Sequence, residues 1–372
     1  MAETPRIVLL AFDGFPLHAF GRTITPNLWR LGEEGGYSPD GGRSGLPSTT
    51  YPAFTSLLTG MNQQKTGVRT TAQRAGAVPG WAGGARSLVP TIIHAARNAG
   101  LRAAAVMGDH KLQRVLGLRE IDRAWPPAAI VPEGTELDAH GYPTNAAVRP
   151  HALEAAGDRD LDLLFVHFNE TDTLGHDLGP GAKETLECAR AADAIVGELL
   201  RMLRPDWDRT VVAVVSDHDM IRRLPLPPLD PTASRECAGL VDDWIADGAA
   251  AWLHLTSGVD AHMAINRLAA VEGVEAWRWR EPNILLLLAA TGRVFDGQPI
   301  PVGGIHGGMR TARTLAIVGG GHPAVCGIAA SIEGRSPRLQ DWSPTLAGLL
   351  GFELRDADGL DLLEPSALQS AG

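Results

Sequence analysis

Cysteine, aromatic residues, basic charge and long apolar runs are all scarce in this chain of 372 residues. Its three cysteines, Cys188, Cys237 and Cys326, are an odd number at wide spacing without a CxxC pair, which argues against a disulfide framework and a thiolate zinc site. They are expected as core residues in a reducing compartment. The longest apolar run, 284–290, falls far short of the roughly 18 residues that signal a bilayer span. The opening stretch MAETPRIVLLAFDGF has no basic n-region before its short apolar segment, so it reads as a buried strand rather than a signal peptide. A soluble, cytoplasmic protein is expected. With 33 Lys and Arg against 43 Asp and Glu, the net charge of −10 disfavours a nucleic acid polymer or an anionic membrane surface as main partner. An anionic small-molecule substrate would have to be drawn in by local cations.

What is present is an ordinary globular balance, 44% hydrophobic and 20% charged, in a length that suits one large domain with an insertion, or two domains. Short apolar or β-branched runs at 7–12, 103–107, 163–168, 211–216 and 315–318 alternate with amphipathic segments at 25–34, 89–98, 144–155, 182–203 and 343–350. That alternation predicts an α/β fold, a mainly parallel central sheet covered by helices on both faces. The texture changes between 221 and 304, where RRLPLPPLDP is followed by strand, helix, strand and strand patterns at 250–255, 260–270, 274–278 and 285–289. We read 221–304 as a small inserted α/β cap subdomain, and 1–220 with 305–372 as the core. Gly/Pro-rich loops stand at 74–85 and 302–308. Walls for a substrate are expected from 61–85, 108–145 and the insert. Trp81, Trp125, Trp252, Trp277 and Trp279 are candidates for stacking on a base, with ordinary packing the commoner role.

The chain is organised around LPSTTYPAFTSLLTG, 46–60, in which Thr49 and Thr50 precede an apolar segment of helical spacing. Thr50 is placed at a helix N-terminus, where free N–H groups favour an anion. A hydroxyl there becomes a nucleophile only beside a base or a metal ion. In an open α/β sheet the residues just beyond the carboxyl ends of the strands face the ligand crevice. Asp13 follows the first strand, Asp172 and His176 the third at i and i+4, Asp217 and His218 the fourth, and His306 sits in the turn GGIHGGM. Each has an ordinary explanation alone, as a turn, a cap or a surface pair. Together, three Asp, three His and a hydroxyl suit two N/O sites for zinc, with Thr50 bridging or capping one of them.

Taken in order, Asp13 in FDGF with TPNL after it, the PSTTYP threonine, Asp172-x-x-x-His176 with HDLGP, the SDH turn of Asp217-His218, His306-Gly-Gly and the terminal SPTLAGLLG resemble the alkaline phosphatase superfamily. The branch they resemble is the type I phosphodiesterase/nucleotide pyrophosphatases, and the likeness runs through the whole chain. The resemblance implies that Asp172, His176 and His306 hold one zinc ion, other divalent metals being possible. It implies that Asp13, Asp217 and His218 hold a second with Thr50 as its further, covalent-catalytic ligand, and that the family fold carries an inserted cap. Thr49 is then a neighbour, because in that branch the attacking hydroxyl directly precedes the aromatic-Pro pair, here Tyr51-Pro52. The implied activity is hydrolysis of phosphodiester or pyrophosphate bonds in nucleotide-like substrates through a phosphothreonine.

Two departures bear on the substrate. Where the branch carries an asparagine that donates to a phosphoryl oxygen, this chain has Thr71, with Arg69 nearby. An inward Arg69 would suit a dianionic monoester, an outward one a diester. The usual glycine after Asp-His is Asp219, an extra carboxylate beside the metals. No C/S-x-P-x-R motif of a sulfatase is present, and the phosphoglycerate mutases use a serine, whereas a phosphonoacetate-type C–P hydrolase shares the threonine and metals and stays open. So does a phosphomonoesterase. A catalytically inactive binding domain is the alternative of another class, against which the intact ligand set argues. The oligomeric state is left open between monomer and homodimer.

Overall fold

The Arg6–Phe12 strand is buried along its length and lies near the middle of a seven-stranded sheet in a computed structural model that describes residues 4–71, 86–295 and 303–364. The strand order is Gly36–Tyr37, Ala316–Gly320, Thr210–Ser216, Arg6–Phe12, Leu163–Phe168, Ala103–Met107 and Ala124–Trp125. Five of these, from Thr210–Ser216 to Ala124–Trp125, pair in parallel. Ala316–Gly320 departs from the parallel expectation and runs antiparallel to Thr210–Ser216. The topology explains the reversal: the chain returns through His306 near the carboxyl ends of the parallel strands, so its next strand has to run back the other way.

Side chains of the first strand alternate between two cores, Ile7, Leu9 and Ala11 on one face and Val8, Leu10 and Phe12 on the other. Such double burial is what a continuous apolar strand needs. Thr50–Thr59, Ile92–Asn98, Ala324–Gly334 and Leu339–Leu349 cover the first face; Pro26–Glu34, Asn145–Gly157 and Lys183–Leu203 cover the second. The α/β architecture with helices on both faces is therefore as the sequence predicts. The Ala324–Gly334 helix and the Glu170–Leu178 helix were not among the expected segments. Phe12 lies level with Phe168 and Ser216 in the register. Asp13, Asn169 and Asp217 accordingly leave the sheet at one height.

Residues Val241–Asp247, Ala250–Leu255, Ile284–Ala289 and Val274–Glu281 form a separate four-stranded antiparallel sheet. Leu253, Leu285 and Leu287 pack on Ala264 and Leu268 of the Ala261–Ala269 helix, and Trp252, Leu286 and Leu288 on the opposite face. Val241–Asp247 escapes a sequence reading because its sequence, VDDWIAD, carries three aspartates, a type depleted in strands. The 74–85 loop with Trp81, and position 302, lie outside the described residues. Among the described residues no helix is long and apolar enough to cross a membrane. All three cysteines are free, but only Cys188 and Cys237 are buried. Cys326 corrects the core expectation: it is exposed on the Ala324–Gly334 helix, which buries Val325, Ile328, Ala329 and Ile332 instead.

Candidate metal centre

Strand ends and one turn assemble two three-residue clusters. Asp13, Asp217 and His218 form the first and Asp172, His176 and His306 the second, with the potential ligand atoms of each cluster within 4.8 Å of one another. Asp13 and Asp217 are fixed by their own backbone, since Asp13 N donates to Phe168 O at 2.9 Å and Asp217 N to Phe12 O at 3.3 Å. Gly14 turns the chain with φ +55°, a region costly for other residues, and a Cβ there would lie 2.6 Å from Asp172 Oδ1. The helix Glu170–Leu178 puts Asp172 and His176 one turn apart on one face, 3.5 Å between His176 Nε2 and Asp172 Oδ1. His306 Nε2 lies 3.0 Å from His176 Nε2.

The second ring nitrogen of two histidines faces a backbone carbonyl: His218 Nδ1 at 3.1 Å from Asp219 O, and His306 Nδ1 at 3.2 Å from Ser48 O. A proton held on Nδ1 leaves Nε2 with its lone pair directed at the site, the tautomer a metal ligand requires. Asp172 Oδ1 and Asp217 Oδ2 are buried with no hydrogen-bond partner. Orphaned carboxylate oxygens beside neutral imidazoles are the donor set that zinc and related divalent ions take. The residues present therefore fit a two-metal centre.

Electrostatics agree. Burial lifts the Asp172 carboxyl to about 7, and burial together with neighbouring carboxylates raises Asp13 and Asp217. Burial drives His218 down to about 3 and His306 well below the usual imidazole range. Crowded carboxylates resisting ionisation, with histidines resisting protonation, are stabilised together by a divalent cation.

Thr50 begins the Thr50–Thr59 helix, as the sequence predicts, with Thr49 as N-cap. Thr50 Oγ1 is 3.3 Å from Asp13 Oδ1 and 3.4 Å from His218 Nε2. Thr49 Oγ1 points elsewhere and donates to Asp247 Oδ2 at 2.9 Å. Thr71 Oγ1 accepts from Tyr51 N at 3.1 Å, which leaves its own proton to donate into the cavity. That cavity, about 460 Å³, is lined among others by Asp13, Thr50, Thr71, Asp172, His176 and His306. Asp217 and His218 are fully buried and lie outside this lining.

Arg69 is not brought to the cavity. Its guanidinium pairs with Glu281 and Trp252 Nε1 donates to its carbonyl at 3.0 Å, so the four-stranded antiparallel sheet draws it away from a phosphoryl group. Asp219 is likewise occupied: its Oδ1 accepts from Leu17 N at 3.1 Å and Met220 N at 2.7 Å, and its carboxylate serves a turn. Trp125, Trp252, Trp277 and Trp279 do not line the cavity; Trp125 stacks on His151 instead.

Sequence reasoning missed Asp109, Tyr142, Arg223 and Asp247, all of which line the cavity. Asp109 stands just beyond the Ala103–Met107 strand, the rule that found Asp13 and Asp217, and caps the next helix by accepting from Lys111 N at 2.7 Å and Leu112 N at 2.8 Å. Arg223, just after the Ile221–Arg222 strand, and Asp247, ending the Val241–Asp247 strand, carry no local signal.

The sequence profile described as type I phosphodiesterase/nucleotide pyrophosphatase matches residues 7–272. Human ectonucleotide pyrophosphatase/phosphodiesterase family member 7 is 28% identical over 239 residues, 58% of this chain and 48% of that protein. The match thus spans about half the length of that relative. Two solved structures share the fold. Murine ectonucleotide pyrophosphatase/phosphodiesterase 5, in an inactive form with AMP, superposes with TM-score 0.69 at 15% identity, covering 96% of this chain and 99% of that one. Phosphonoacetate hydrolase from Sinorhizobium meliloti, in complex with phosphonoacetate, gives TM-score 0.64 at 20% identity, covering 85% and 90%.

Proposed function

This chain belongs to the type I phosphodiesterase/nucleotide pyrophosphatase family, and on that premise we propose that it hydrolyses phosphodiester or pyrophosphate bonds of small, nucleotide-like substrates, with two zinc ions and a phosphothreonine intermediate on Thr50. The observation that carries the proposal is Thr50 Oγ1 set between Asp13 Oδ1 and His218 Nε2, beside the orphaned oxygens of Asp172 and Asp217.

Asp13, Asp217 and His218 would hold one ion and Asp172, His176 and His306 the other. When bound, the ions supply positive charge that lowers the pKa of the Thr50 hydroxyl and neutralises phosphoryl oxygens. In the first step Thr50 Oγ1 attacks phosphorus in line, its proton passes to solvent water, and the bond to the leaving oxygen breaks, that oxygen departing with the bonding pair and taking a proton from water where it needs one. In the second, water displaces the phosphoryl group from Thr50 and restores the hydroxyl. The Thr71 hydroxyl donates to a non-bridging oxygen, a neutral donor that suits a diester. The withdrawal of Arg69 to Glu281 supports the same preference, because no second cation is then added for a monoester dianion. Residues of the proposed 221–304 cap supply part of the cavity wall, Arg223, Asp247 and Gly248 among them. Three free cysteines support a reducing, cytoplasmic setting.

The test is a panel of a phosphate monoester, the matching diester, a nucleotide pyrophosphate and phosphonoacetate, assayed with zinc on wild type, Thr50→Ala and Thr49→Ala. Thr50→Ala should retain its metal and lose about 10³-fold or more in turnover, the scale of a lost covalent step. Thr49→Ala should be much milder. An active Thr50→Ala, or a rate on phosphonoacetate far above every ester, would overturn the proposal.

A further inference from the structure

The cavity is strongly acidic for a site that is to receive an anion. Asp13, Asp109, Asp172, Asp177 and Asp247 all line it, and Arg223 is its single lysine or arginine among the described residues. Arg223 leaves the short Ile221–Arg222 strand, and its N–H donates to Gly303 O at 2.9 Å. Gly303 lies against the helix that carries His176, for a Cβ there would sit 2.5 Å from His176 O. The arginine is thereby anchored on the Asp172–His176–His306 side of the site.

Arg223 is 6% exposed, and its Nε and Nη2 are buried with no hydrogen-bond partner. Three other arginines with buried, unbonded nitrogens have compensation nearby. Arg6 has Asp206 and two backbone carbonyls, Arg69 has Glu281, and Arg280 has Leu46 O. Arg223 alone among the described arginines leaves two buried nitrogens unpartnered without an ion pair. An unpaired buried charge is costly, and the cost falls when an oppositely charged ligand arrives. Nε and Nη2 form one edge of the guanidinium, the two parallel N–H groups that grip a carboxylate or a phosphoryl group bidentately.

We infer that Arg223 is a specificity residue for a second oxyanion on the substrate, a carboxylate or phosphoryl group carried apart from the reacting phosphorus. The inference rests on the hydrolase reading above and narrows it. Thr50, Thr71 and the two ligand clusters already account for the reacting phosphoryl group. With the unpaired edge turned into the cavity that Arg223 lines, the substrate would bear at least two separated anionic centres. Substrates with a neutral remainder gain nothing from it.

The experiment compares Arg223→Gln and Arg223→Lys with wild type on three substrates: bis(4-nitrophenyl) phosphate, which lacks a second anion, ATP, which carries phosphoryl anions, and phosphonoacetate, which carries a carboxylate. For Arg223→Gln the ratio of kcat/KM on ATP or phosphonoacetate to that on the singly charged diester should fall tenfold or more, mainly through KM. Arg223→Lys should restore part of the ratio as a point charge but not the bidentate grip. The arm that responds, ATP or phosphonoacetate, identifies the oxyanion. Calorimetric titration of ATP and phosphonoacetate into the Thr50→Ala protein, with and without Arg223→Gln, reads binding without turnover. Loss of affinity on Arg223→Gln supports the inference even if no substrate in the panel is turned over, so failure of the hydrolase reading is seen separately. An unchanged ratio with unchanged affinity, or equal losses on all three substrates, overturns it. A melting temperature of Arg223→Gln at or above wild type is expected, because the substitution removes an unpaired buried charge; a large drop would assign Arg223 a structural role instead.

Discussion

The rings of His218 and His306 stack with centroids 3.8 Å apart and planes 13° from parallel, although they belong to different ligand clusters. The two sites therefore share a wall, and each imidazole is held partly by the other. His306→Ala should empty the Asp172–His176 site and also loosen His218. On the proposed two-ion reading, metal analysis should show about one ion retained per chain in place of two, bound more weakly than either ion of the wild type. Retention of two ions at wild-type affinity would dissociate His306 from the centre.

Gly14 carries two constraints at once, a left-handed φ of +55° and a space that Asp172 Oδ1 fills to within 2.6 Å of a would-be Cβ. Gly14→Ala should cost about 1–2 kcal/mol for the backbone alone, with more for the displaced carboxylate. Because Gly14 N also donates to Asp217 Oδ1 at 3.1 Å, both clusters should lose affinity together. Denaturant unfolding of the chelated protein reads the first effect, and metal titration the second. A variant with intact stability and metal content would contradict this geometry.

Much of this arrangement was readable from residue types alone, for a physical reason. Parallel strands buried on both faces leave unmistakable apolar runs, and the residue after each run is placed by the sheet itself, as with Asp13 after Phe12 and Asp217 after Ser216. Thr50 was legible because helix N-termini have local chemistry. What the sequence withheld is whatever depends on meetings across the chain. Arg69 is far in sequence from Glu281, and nothing near Arg69 announces the partner that turns it aside. Arg223 and Asp247 line the cavity although they stand far in sequence from Asp13 and Thr50. The reversed Ala316–Gly320 strand has the same apolar texture as its parallel neighbours, so its direction had no local sign.

Metal affinity should depend on pH through Asp172. Its carboxyl is held at about 7 by burial in the absence of a cation, whereas His306 and His218 are pushed down and stay neutral. Only the ionised carboxylate ligates, so protons compete for Asp172 below about pH 7 and cease to compete above it. Competition with a chelating dye from pH 8 to 5.5 should show the Asp172–His176–His306 site weakening as pH falls, approaching about tenfold per unit. An affinity that is flat across this interval would remove Asp172 from the ligand set.

The preference between diester and monoester turns on Arg69. Its side chain is 16% exposed, that of its partner Glu281 37%, and the pair ties the segment before Thr71 to the Val274–Glu281 strand of the four-stranded sheet. A partly exposed pair of this kind contributes about 0.5–1 kcal/mol after screening. Arg69→Ala should therefore lower stability by that amount and, with no contact to the cavity, shift kcat/KM for an aryl monoester and the matching diester equally. An arginine that reached the phosphoryl group would act otherwise, costing the monoester roughly 2–4 kcal/mol more than the diester, the scale of one lost electrostatic donor. Paired rate measurements on the two substrates decide between these outcomes. A selective monoester loss would mean that the Glu281 pair opens during catalysis and that the site serves monoesters, whereas equal small losses agree with a site whose donors to the reacting phosphorus include the neutral hydroxyl of Thr71.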